Sequence, residues 1–246
     1  FNNLIYLLAE KINSSNTNKD INIESLDIIS DSQYQSENKY TVEGDVQIKK
    51  NNSELKADKL VYDLEKKIIT ITGNIKFISG EQFLQSTKIK YNLISKKGFI
   101  KDAYGIINFD TLNLINTDNN TNFDFKNISD NKNSITDVKL NKKSTLEFDD
   151  IKSPQKLKIE LNPITKWRFK SNEIKIEDKI WSSDILYLTN DPYNEPQIVI
   201  KNSDFKIFEK NGEMMIKSKW SSVILEDKLK VPIGPRNYKS KKGSNI

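Results

Sequence analysis

Between Tyr40 and Gly105 the chain repeats itself, and this repeat limits the fold more than any other feature. Tyr40-Thr41-Val42-Glu43-Gly44-Asp45-Val46-Gln47-Ile48 returns as Ile69-Thr70-Ile71-Thr72-Gly73-Asn74-Ile75-Lys76-Phe77, with Gly44 and Gly73 29 residues apart. Leu55, Asp58, Tyr62 and Leu64 return as Leu84, Thr87, Tyr91 and Leu93 at the same offset. Lys66-Lys67 returns one step late, near Lys96-Lys97. A unit of this length cannot bury an apolar face alone, so it must stack on copies of itself.

Within each copy the period is two. Tyr40, Val42, Val46 and Ile48 share one face, while Thr41, Glu43, Asp45, Gln47 and Lys49 share the other. Ile69, Ile71, Ile75 and Phe77 likewise oppose Thr70, Thr72, Asn74 and Lys76. Each copy therefore contains a strand that is wet on one side. The same parity puts Gly44 and Gly73 on the apolar face, as the site of a bulge or bend rather than of ligand contact.

The 246 residues include no cysteine and no histidine, which removes disulfides, thiolate nucleophiles, the usual structural zinc sites and the commonest general base. No acidic pair is placed for acid–base work, so no enzyme activity, cofactor or metal site is expected. The net charge of +5 is spread as single lysines between apolar residues, without a dense basic helix or an aromatic-basic motif. No nucleic-acid partner is expected, and weak attraction to an anionic partner stays open. Lys, Ile and Asn pervade core and loops alike, a bias of the source genome. No apolar run is long enough for a membrane helix. Phe1 to Leu8 is not a whole signal peptide, and the start without Met points to a piece of a longer protein.

Five stretches follow. Residues 1–20 form an N-terminal segment or linker, and 21–109 hold the β repeats, with Ile21 to Ile29 as a first strand. Residues 110–152 are an Asn-rich meander or loops. Residues 153–236 form the second part of the sheet, and 237–246 a polar tail leading to a missing C-terminal region. Phe99 to Gly105 begins a third unit that does not finish in register. Beyond Pro154, short strands are expected at Leu157–Leu161, Trp167–Phe169, Ile174–Glu177, Trp181–Leu188, Ile198–Ile200, Phe205–Phe208, Met214–Lys217 and Val223–Leu225. Asp178-Lys179 forms a turn.

Val42-Glu43-Gly44-Asp45-Val46, Ala57-Asp58-Lys59-Leu60-Val61-Tyr62, Ile71-Thr72-Gly73-Asn74-Ile75 and Gly98-Phe99 resemble the cadence of the OstA (organic solvent tolerance) domain of lipopolysaccharide transport proteins. Trp167-Arg168-Phe169, Trp181-Ser182-Ser183-Asp184, Thr189-Asn190-Asp191-Pro192-Tyr193-Asn194-Glu195-Pro196 and Val231-Pro232-Ile233 resemble the cyanobacterial-type branch of the outer-membrane assembly protein LptD. The resemblance implies an all-β fold, an open β-jellyroll or V-shaped antiparallel sandwich of the LptA, LptC and LptD N-terminal type. It also implies a place in the periplasm at the outer membrane, lipopolysaccharide as cargo with its acyl chains in an apolar cleft, a neighbouring periplasmic jellyroll as partner, and an outer-membrane barrel beyond this chain.

The expected cleft lining is Val42, Val46, Ile48, Tyr62, Ile69, Ile71, Ile75, Phe77 and Tyr91, residues that equally suit a plain core. Ile21 and Ile23 are the expected docking edge. Asp191 to Pro196 is expected as a turn in preference to a cation site, and Trp167 and Trp181 as packing anchors. The competing class is a non-catalytic polysaccharide-binding or adhesin module of solenoid or jellyroll form. Such a module would carry aromatic platforms on the polar strand face.

Overall fold

The computed structural model describes residues 27–108, 166–210 and 213–239. They form one antiparallel sheet of twelve strands: β1 (Asp27–Ile29), β2 (Ser32–Ser36), β3 (Lys39–Lys50), β4 (Ser53–Asp63), β5 (Ile68–Ser79), β6 (Gln82–Asn92), β7 (Lys97–Asn108), β8 (Lys166–Glu177), β9 (Ile180–Thr189), β10 (Ile198–Lys210), β11 (Glu213–Leu225) and β12 (Leu229–Lys239). From β3 onward every strand pairs with the next in sequence. β1 and β2 together cover one side of β3. The fold is the expected all-β open jellyroll. β7 pairs directly with β8, with Asn108 opposite Lys166, although 57 residues separate the two strands in sequence.

The long strands are creased along one line. Glu43 pairs with Lys59 and Val46 with Ala57, so Gly44-Asp45 oppose Asp58 alone. Gly73-Asn74 sit the same way against Thr87, between the pairs Thr72–Lys88 and Ile75–Ser86. These are β-bulges, which bend a strand sharply. Left-handed backbone recurs along the line at Gly44, Asp45, Gly73, Asp102, Asp204 and Gly234. Glycine adopts it without strain, and Asp is among the few other residues that tolerate it. Asp102 lies 29 residues past Gly73, so the third unit keeps the bend although it loses the glycine.

Gly44 and Gly73 are correctly expected at a bulge but not on the apolar face. A Cβ on either would run into an exposed aspartate, Asp31 or Asp58. The left-handed turn rotates both glycines outward. Asp58 accepts the Asn74 amide at 3.1 Å, and Thr87 donates to Asp102 at 2.6 Å, so polar side chains pin the outer side of the crease.

The crease divides the sheet into two arms. The first runs toward the turns at 64–67 and 93–96, and the second toward the tight turns at 51–52 and 80–81. Residues of both arms, such as Leu60 and Ile71 from the first and Leu55 and Phe77 from the second, fall into one buried cluster. The inner faces of the arms therefore close on each other. Small side chains, Ala57, Ser86, Ala103, Ser171 and Ser183, occupy the inner side of the crease, where a bent sheet leaves least room.

Candidate functional site

Strand register turns the scattered apolar residues into two continuous rows. On the first arm, Tyr40, Tyr62, Ile69, Tyr91, Gly98, Ile176, Trp181, Ile207, Ile216 and Tyr238 are successive cross-strand partners from β3 to β12. On the second arm the row is Ile28, Ile48, Leu55, Phe77, Leu84, Gly105, Phe169, Leu188, Ile200, Val223 and Val231. Each row is interrupted once, by a glycine of β7. Side chains at Gly98 and Gly105 would meet the rings of Tyr91 and Phe169 and the carbonyls of Lys90 and Phe83.

All nine residues expected to line a cleft, Val42, Val46, Ile48, Tyr62, Ile69, Ile71, Ile75, Phe77 and Tyr91, lie in the larger cluster, and seven of them lie on these two rows or beside them on the first arm's inner face. Phe77, at 5% exposure, is the most accessible of the nine, so between β3 and β6 the arms are shut. Toward β12 the rows become exposed. Along the second row exposure passes from Leu188 at 9% through half-buried Ile200 and Val223 to Val231 at 40%. The first row ends at Tyr238, which is also exposed. One inner surface is thus a dry core at one end and an accessible apolar trough at the other.

The expected set omits Leu55, Leu60, Leu84, Ile89, Ile100, Ile174 and Ile176, which are also buried. It also omits a smaller cluster in the second half, Leu186, Leu188, Phe205, Ile207 and Met214. Trp181 packs on the larger cluster and Trp167 on the smaller, as anchors. Thr41, expected on the wet face, is buried. Ile21 and Ile23 lie outside the described residues, as does the 110–152 meander and the strand at Leu157–Leu161.

Polar groups inside the sheet are small and mostly paired with one another. Ser171 and Ser183 lie 2.7 Å apart, and Ser221 joins Ser218 and Asn202 at 2.7 Å each. On the outer face Lys59 is hydrogen-bonded to Glu43. The bond holds the Glu43 carboxyl below the ordinary carboxylate range and raises the Lys59 ammonium.

Asp191 to Pro196 is a structured turn. The Asp191 carboxylate accepts the amides of Tyr193 at 3.0 Å and Gln197 at 2.8 Å. Thr189 accepts the Asp191 amide and donates to the Ile198 carbonyl. Arg168 donates to the carbonyls of Asp191 and Tyr193. This string thus ties the β9–β10 loop to β8.

An open antiparallel sheet creased around two apolar rows, with its polar side chains on loops and bends, defines an all-β open jellyroll. Residues 17–97 match the family described as LptA/(LptD N-terminal domain) LPS transport protein. Over these residues the chain resembles this lipopolysaccharide transport family, in agreement with the OstA resemblance. Residues 161–244 match a second family, described as Protein of unknown function (DUF3769). No curated protein matches the chain.

Proposed function

We infer that this chain carries lipopolysaccharide in the periplasm, holding the acyl chains between its two arms and passing them toward the outer membrane beside a neighbouring jellyroll of the same transport system. The observation that carries this reading is the pair of apolar rows that cross the whole sheet and become accessible toward β12. An acyl chain laid there extends the core instead of creating a new interface. At about 0.8 kcal/mol per buried methylene, ten methylenes contribute roughly 8 kcal/mol before ordering costs. Holding and releasing such a chain needs no covalent step, in keeping with a family described by transport. Acyl chains enter at the trough formed by β9 to β12 and advance by parting the arms over β3 to β8.

Photo-crosslinking side chains at Tyr62, Ile71, Ile200 and Val223 should label with lipopolysaccharide, whereas those at Thr72 and Lys76 on the outer face should not. Equal labelling from the two faces would overturn the assignment. Labelling confined to Ile200 and Val223 would restrict the lipid to the trough.

A further inference from the structure

The outer face of the second arm carries an arrangement that lipid transport does not use. Register aligns Lys76, Gln85, Tyr104, Lys170, Tyr187 and Lys201 in one row across β5 to β10. Elsewhere on the outer face several lysines stand directly opposite an acid, as Lys59 does Glu43, Lys101 Glu173 and Lys97 Glu177. In this row the residues opposite the lysines are glutamine, tyrosine, serine or another lysine, and none is an acid. Lys76 pairs across with Gln85 and with Lys56, and Lys170 stands between Tyr104 and Tyr187. The Lys201 ammonium lies 5.7 Å from the centre of the Tyr187 ring. Both tyrosines are half-buried. Nearby acids are already engaged: Asp58 by the Asn74 amide, Asp102 by Thr87, and Glu54 by Lys49 and Lys56.

From this row we propose a second binding site, for a linear acidic polysaccharide. A phenol ring offers a flat apolar face to a sugar ring, and an ammonium is a point partner for carboxylate or phosphate. Adjacent strands lie about 4.8 Å apart, which puts Tyr104 and Tyr187 about 10 Å apart and spreads the row over about 24 Å. That length suits an extended polymer better than a single sugar. The row lies on the opposite side of the sheet from the apolar trough, so the site is independent of the lipid reading. It would tether the jellyroll to an anionic glycan while the inner face handles lipid.

Affinity electrophoresis of the full chain distinguishes ring recognition from charge, with three probes: polygalacturonate (rings and carboxylates), polyphosphate (charge without rings) and dextran (rings without charge). Polygalacturonate should bind tightest of the three. Tyr104→Ala with Tyr187→Ala, and separately Lys170→Gln with Lys201→Gln, should each weaken it about tenfold. Lys206→Gln with Lys217→Gln serves as control. That pair also stands directly opposite one another, on the first arm, and its loss removes the same charge. It should change binding less than about twofold. Circular dichroism confirms that each variant keeps its strands. The proposal is overturned if polygalacturonate is not retained, if polyphosphate binds as well and ignores the tyrosines, or if the control pair matters as much as the row.

Discussion

Gly73 shows why a single atom matters at the crease. Its φ of +99° and the Asp58 side chain beside it leave no place for a Cβ. Gly73→Ala therefore adds backbone strain and displaces the carboxylate that accepts the Asn74 amide. A cost of about 2 kcal/mol is expected, within the range for a strained left-handed residue plus a weakened hydrogen bond. Gly80 also has positive φ, +55°, but its nearest obstacle is the flexible Asn52 side chain at 3.8 Å. Gly80→Ala should cost about half as much. Urea unfolding of the two variants compares them directly. Equal midpoints would mean that Asp58 does not hold the bend.

At the level of the strand, the crease decides how much of the fold a sequence can disclose. In β3 and β5 the inner residues step by four across the bulge, Val42 to Val46 and Ile71 to Ile75, so even spacing survives and the apolar side chains, though not the bulge glycines, are read onto the correct face. In β4 and β6 to β10 the step is three, as from Ala57 to Leu60, Ser86 to Ile89 and Ile100 to Ala103. Parity then flips within one strand. Leu55 and Leu60 look as though they belong to opposite faces, and Trp167–Phe169 and Ile174–Glu177 look like two strands when both belong to β8. Asp178-Lys179 was legible as a turn because two polar residues separate two alternating runs. The β7–β8 pairing was not, since 57 intervening residues, 109–165, hide the adjacency. The small residues inside the bend give a further test. Ala103, fully buried opposite Ser171, has no room for a longer side chain. Ala103→Leu should destabilise by about 1–3 kcal/mol, as overpacking does. Leu186→Met, a volume-conserving change in the looser second cluster, should cost less than about 1.5 kcal/mol. Thermal melts that rank these two the other way would remove the crease as a packing constraint.

Across the whole molecule, the two edges of the sheet differ. β12 carries Pro232 and Pro235 and a left-handed Gly234, residues that remove donors and bend an edge strand away from pairing. β1 and β2, with Asp27, Ile28, Ile29 and Ser32 to Ser36, have neither proline nor glycine, and their outer side pairs with no described strand. Ile21 and Ile23 immediately precede them in sequence. We propose that this N-terminal edge accepts a strand from the neighbouring jellyroll by β-augmentation, so that the apolar rows of the two proteins continue into each other. Main-chain hydrogen bonds would form the joint, and proline should therefore matter more than alanine. Successive residues of an edge strand direct their amides alternately inward and outward. Of Gln33→Pro and Tyr34→Pro, one should loosen β2 from β3, and the other should keep the sheet and block only its outer side. The variant that keeps its circular dichroism spectrum should lose capture of the partner jellyroll and lipid transfer to it, whereas the matching alanine variant should retain both. A folded proline variant that still joins and transfers would place the joint elsewhere.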